Sequence, residues 1–178
     1  VNGGTLTLDG SGTVSSTHTD GNSFSADSSV IRVSGATSNA KLVVKSGVTV
    51  SSAWCYGVSV FGNEKATTTQ SLDVYGKVAV TGGNPAISGL GTMNRGTAAI
   101  NIYDGATVSA TACSAVYHPQ GGTMTITGGT ISGPSGIEAK GGTINISGGT
   151  ITATGTVSHT ANNNGNSTTG YALAVVES

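Results

Sequence analysis

Apolar and polar residues alternate in short runs along the whole chain. Leu6/Leu8, Leu42/Val44, Leu72/Val74, Ile100/Ile102, Met124/Ile126 and Ile144/Ile146 each show the period-two pattern of a half-buried strand. A second strand follows each of them, with Val14, Val50, Val80, Val108, Ile131 or Ile151 as its inward residue. The spacing from the first strand is six residues in four cases and five in two. A third strand follows, centred on Ile31, Val58, Ile87, Val116, Ile137 and Leu173. The pattern predicts six coils of three short strands each.

The pattern is also a repeat. The run Gly-Gly-Thr-Met-Thr-Ile-Thr-Gly-Gly-Thr-Ile-Ser-Gly at 121–133 returns at 141–153 as Gly-Gly-Thr-Ile-Asn-Ile-Ser-Gly-Gly-Thr-Ile-Thr-Ala, and looser copies reach back to Gly3. Fixed repeats of this size imply a stacked, quasi-one-dimensional architecture. No coil can bury its inward side chains alone. Coils stacked ~4.8 Å apart pair strand on strand, parallel and in register, and the interior becomes ladders of like residues. Each buried rung contributes roughly 1.5–3 kcal/mol. The expected fold is therefore all-β, a parallel β-helix (β-solenoid) of about six three-strand coils, forming one domain over 1–178. An antiparallel sandwich would leave the in-phase repeats without a purpose.

Composition narrows the function classes. Charged residues are 8% of the chain and the formal net charge is −1, so the basic footprint that nucleic acid requires is missing. No apolar run approaches the ~18 residues of a membrane span, so no membrane insertion is expected. No secretory signal is visible. Val1 is not a natural start, so processing, or a place within a larger surface protein with further domains, is expected. Cys55 and Cys113 both stand three residues before their third-strand centres, two coils apart. That separation is ~9.6 Å by the strand spacing, beyond the roughly 7 Å limit for a disulfide, so both are expected to be free. A bridge would need coil 3 to bulge outward at Gly82-Gly83.

The coils differ mainly in their loops. Long insertions fall at Ser15–Ser28 and Thr152–Gly170, and longer turns at Gly62–Gln70 and Gly91–Ala98. Loops on a rigid solenoid are common places for binding, and they are also tolerated surface insertions.

Three outer faces are candidates for function. Strand three carries aromatics: Trp54, Tyr56 and Phe61 border it in coil 2, Tyr117 and His118 in coil 4, and Tyr171 in coil 6. Alternation sets Arg32, Ser59, Ser88, Tyr117 and Glu138 outward in one ladder. Rings beside hydroxyls and charges suit sugars, whose apolar faces stack while their hydroxyls take hydrogen bonds. The expected ligand contacts are Trp54, Tyr56 and Tyr117 as stacking rings, with His118, Glu138 and Arg32 as polar partners. Strand two shows an outward array of Thr13/Ser15, Thr49/Ser51, Ala79/Thr81, Thr107/Ser109, Thr130/Ser132 and Thr150/Thr152. It is similar to the flat threonine arrays of ice-binding β-solenoids, although Thr and Ser are also ordinary exposed strand residues. Strand one sets Asp73 beside Asn101, two oxygen donors toward a calcium site, which wants six to eight. No other cofactor is suggested.

Catalytic constellations are not evident. The acids Asp9, Asp20, Asp27, Glu64, Asp73, Asp104, Glu138 and Glu177 are scattered, and no two fall on neighbouring outward rungs as paired-carboxylate hydrolysis needs. His18, His118 and His159 have no visible triad partners. The expectation is a non-enzyme, with polysaccharide lyase as the enzymatic alternative.

The Gly-Gly-Thr-Ile-x-Ile-x-Gly-Gly-Thr-Ile units at 121–133 and 141–153 resemble the repeats of bacterial cell-surface β-helix proteins. Among these is a pectate-lyase-like family that binds plant polysaccharides. The resemblance is clear over the last third of the chain. It implies a right-handed β-helix, an extracellular or wall-attached location, and a polysaccharide or host glycan as partner. It carries over no ligand residue, because the repeats are scaffold motifs.

Overall fold

The computed structural model describes residues 3–18, 28–35, 37–62, 67–89, 97–119, 121–160 and 165–176. Among them are strands and turns but no helix. Thus no helix is long and apolar enough to cross a membrane. The strands recur in three positions. Position one holds β1 (Gly4–Leu8), β4 (Ala40–Val44), β7 (Thr69–Val74), β10 (Thr97–Ile102), β13 (Gly121–Gly133) and β15 (Thr143–Ala153). Position two holds β2 (Gly12–Ser16), β5 (Val48–Ser52), β8 (Lys77–Val80) and β11 (Thr107–Ala110), then the second halves of β13 and β15. Position three holds β3 (Ser29–Ser34), β6 (Tyr56–Phe61), β9 (Ile87–Gly89), β12 (Val116–His118), β14 (Ile137–Ala139) and β18 (Leu173–Val175).

Each strand pairs in parallel with its equivalent in the next layer, the arrangement of a solenoid-like stack. Positions one and two form one ten-stranded curled sheet, because β13 runs through both, and position three forms a six-stranded sheet. The rungs of position one follow the sequence pattern: Leu6, Leu42, Leu72, Ile100, Met124 and Ile144 are successive partners. Those of position three are Ile31, Val58, Ile87, Val116, Ile137 and Leu173, also as expected. Burial alternates residue by residue along β4 and β5, as a strand with one covered face requires. The core is a column of Val, Ile and Leu, flanked by partly buried Leu8, Ile144 and Ile151 toward the two ends.

One rung differs from the expectation. In layer 3 the rung with Val50 and Val108 is taken by Val78, not Val80; Val80, also inward, pairs with Ser52 and Ala110. Three residues separate Val74 from Val78, against five between Val44 and Val50, and the turn between the strands is Tyr75-Gly76. Both backbone N–H groups of this turn donate to the Val44 carbonyl, at 2.8 and 3.1 Å. A Cβ on Gly76 would stand 2.4 Å from the Lys45 carbonyl oxygen and 2.5 Å from that of Val48, so only glycine fits. Consequently Lys77 and Ala79 stand where Ala79 and Thr81 were expected, and exposed Thr81 lies past the end of β8.

The long insertions differ in kind. Most of 15–28 lies outside the described residues. The later one forms an antiparallel pair, β16 (Ser158–His159) with β17 (Thr168–Thr169). Parts of the two longer turns, 63–66 and 90–96, also lie outside. The described end of the first turn is built in: buried Gln70 accepts from Ala40 N at 2.9 Å and donates to the Gly35 carbonyl at 3.1 Å. Both cysteines are free, as the layer spacing requires. The layer between them intervenes: Cys113 Sγ donates to the Gly83 carbonyl at 2.7 Å, while Cys55 Sγ shares a hydrogen bond with Ser52 Oγ.

Candidate functional site

The strand-three ladder exists but is not a surface. Arg32, Ser59, Ser88, Tyr117 and Glu138 are successive partners on the outward side. Of these, Ser59, Ser88, Tyr117 and Glu138 are buried. An outward carboxylate must be met by water or by donors, and here the second insertion brings donors. Glu138 accepts from the backbone N–H groups of Ser167 and Thr168, from both their hydroxyls, and from Asn166 Nδ2. Gly165 N donates to Tyr117 Oη at 3.0 Å. Segment 165–169 is therefore a strap over β12 and β14.

The other expected contacts fare similarly. His118 follows inward Val116 by two residues and points into the core beside Ala139; neither ring nitrogen has a hydrogen-bond partner. Burial pushes its pKa down to about 4, so the ring is neutral near pH 7. Tyr56 is buried, and that burial, then the charges of Cys113 and Tyr117, pushes its hydroxyl up to about 12. Trp54 is half-buried at the corner, against Gly83, and its carbonyl accepts from Asn84 Nδ2 at 2.6 Å. Arg32 is half-buried with its guanidinium 5.0 Å from the Phe61 ring. Four of the six predicted contacts are thus covered, and Trp54 and Arg32 alone do not make the stacking platform that was expected.

The strand-two face is in register. Thr13, Thr49, Lys77, Thr107, Thr130 and Thr150 form one column, and Ser15, Ser51, Ala79, Ser109, Ser132 and Thr152 the other. Lys77 and Ala79 interrupt the hydroxyl array in layer 3.

The strand-one face pairs Asp73 with Asn101 as expected and adds Lys41, Tyr75 and Tyr103 beside them. Asp73 and Asn101 are ladder partners, and Asn101 Nδ2 donates to Asp73 Oδ1 at 2.8 Å. Lys41 Nζ pairs with Asp73 Oδ2 at 2.6 Å. Both carboxylate oxygens therefore already face donors, and a cation there would have to displace an ammonium. Among the described residues no group of three His, Cys, Asp or Glu side chains converges on a metal-sized site. Two residues beyond the pair, on the same side, Tyr75 and Tyr103 stack with centroids 4.2 Å apart and planes 4° from parallel. Lys45 Nζ lies 5.2 Å from the outer face of Tyr75. The next residue in this column, after Ile126, is exposed Thr127. Partial burial first, then a hydrogen bond with Tyr75 and the charge of Asp73, push the Tyr103 hydroxyl up to about 12, so it remains a neutral donor. Sequence reasoning missed this pair, although each tyrosine directly follows the last inward residue of its strand, Val74 or Ile102.

A separate groove of about 330 Å³ opens on the last layer, lined by His159, Thr168, Tyr171, Leu173, Val175 and their neighbours. It presents no acid–base pair. No family model, characterised protein or solved structure shows a significant match to the chain.

Proposed function

We propose that this chain is a non-catalytic carbohydrate-binding or adhesin module: a right-handed parallel β-helix of six three-strand coils, extracellular or wall-attached. The binding surface in this reading is the strand-one face. The observation that carries it is the Tyr75–Tyr103 stack beside the Lys41–Asp73–Asn101 network. A flat aromatic face next to fixed donors and acceptors matches a sugar ring, which has an apolar face and a rim of hydroxyls. The Gly-Gly-Thr-Ile repeats that resemble cell-surface β-helix proteins support the same reading. A glycan array probed with the protein, with and without calcium, tests it, together with Tyr103→Ala. Binding unchanged by that substitution rejects the face. Release of unsaturated products from a bound polysaccharide would replace binding by lyase activity.

A second reading has its own observation. The Thr and Ser columns of strand two, in register and interrupted only in layer 3 by Lys77 and Ala79, set rows of hydroxyls on one face, similar to the threonine arrays of ice-binding β-solenoids. Thermal hysteresis that disappears in Thr107→Tyr/Thr130→Tyr would establish it, and no hysteresis in the parent protein rejects it.

A further inference from the structure

The residues under the 165–169 strap have the composition and geometry of a self-crosslinking site. We propose that Lys140 and Asn166 are joined by an intramolecular isopeptide bond, with Glu138 as the proton carrier. Glu138 and Lys140 lie two residues apart on the outward side at the end of β14, with side chains 0% and 1% exposed. Lys140 Nζ is 4.0 Å from Glu138 Oε1, and Asn166 Nδ2 donates to Oε2 of the same carboxylate. The nucleophile and the leaving nitrogen therefore flank one carboxylate, the lysine at ion-pair distance and the amide in a hydrogen bond. Asn166 Oδ1 accepts from the backbone N–H of Ser114 at 3.0 Å. That donor polarises the carboxamide and is placed to hold the oxyanion as the carbon becomes tetrahedral. Donors from Ser167 and Thr168 fix the carboxylate, and Lys140 N donates to the His118 carbonyl, which fixes the lysine backbone. Reacting groups held in one orientation in a dry site need little further ordering.

The step balances without a co-reactant. Glu138 takes one proton from Nζ of Lys140, the freed lone pair attacks Cγ of Asn166, and an Nζ–Cγ bond forms. Glu138 delivers that proton to Nδ2, and the Cγ–Nδ2 bond breaks. The second proton lost by Nζ goes with the departing nitrogen, which leaves as ammonium. A desolvated lysine amine is a competent nucleophile. The protein carries its own control: Lys41, Asp73 and Asn101 also bring a lysine, a carboxylate and an asparagine into contact, with Asp in place of Glu, but Lys41 is 43% exposed. There water reaches the amine, and no bond is expected.

The test is the intact mass of the full chain under denaturing conditions, followed by tryptic mapping. The expected mass is lower than the sequence mass by one ammonia. The expected tryptic map has no cleavage after Lys140, which leaves a single peptide from the cut at Arg95 onward, since no Lys or Arg follows 140. Further digestion with thermolysin, which cuts before Ile144, Ile146 and Ile151, leaves one branched peptide linking Lys140 to Asn166. A succinimide at an asparagine loses the same ammonia without joining peptides, so the branched peptide decides. Glu138→Gln and Lys140→Arg should both restore the full mass and separate the peptides, with β-rich far-UV spectra showing that they fold. An unmodified parent mass, a loss without a branched peptide, or a link at Lys41 would overturn the proposal. A link that persists in Glu138→Gln would remove Glu138 from it.

Discussion

Replacing Gly76 by alanine tests the shortened turn that sets the register of layer 3. The added Cβ would fall 2.4 Å and 2.5 Å from the carbonyl oxygens of Lys45 and Val48, and 3.2 Å from a Val44 methyl. Two of these atoms are backbone of the preceding layer, so they cannot swing aside. Overpacking of this kind costs about 2 kcal/mol, which for a chain of this size lowers Tm by roughly 4–8 °C. Two other glycines separate the causes. Gly12 has open space around its would-be Cβ and no positive φ, so Gly12→Ala should stay within ~0.5 kcal/mol of the parent. Gly105 also has open space but a φ of 79°, so alanine there should cost only dihedral strain, about 1–2 kcal/mol. Thermal and urea unfolding of the three variants gives the order. If Gly76→Ala is as stable as Gly12→Ala, the turn is loose, Val78 is not the rung of Val50 and Val108, and the register described above is wrong.

Other outcomes follow from the same contacts. His118 is neutral in the core with a pKa of about 4, below the ordinary value near 6.5. The unfolded chain therefore binds the extra proton first, and stability present in full above pH 6.5 is lost as pH falls toward 4, by about 3 kcal/mol. His118→Met should flatten that part of the stability–pH curve, and an unchanged slope would show that other groups carry it. Gln70→Leu strands the Ala40 N–H, whereas the Gly35 carbonyl keeps Thr68 Oγ1, and should cost about 1–3 kcal/mol, read by urea unfolding. Tyr103→Ala should weaken glycan binding about tenfold, or ~1.4 kcal/mol, with Tm nearly unchanged, whereas Trp54→Ala should leave binding intact.

The inward ladders were legible in the chain by itself, because period-two alternation and in-phase repeats both report which face of a strand is covered. That is why the rungs of positions one and three, from Leu6 to Ile144 and from Ile31 to Leu173, follow the sequence pattern. The free cysteines were legible too, since layer spacing fixes their separation. Turn length was not legible. Val78 and Val80 have the same parity, so alternation cannot choose between them; the close approach of Gly76 to the layer below does. Outward does not mean exposed, either. Alternation set Tyr117 and Glu138 outward correctly, but the fold of a distant Asn-rich insertion then covered them. The Tyr75–Tyr103 stack and the Lys140–Glu138–Asn166 cluster likewise join residues from different layers or loops. A local pattern records only the face on which each side chain stands; which side chains meet depends on how the layers and insertions pack.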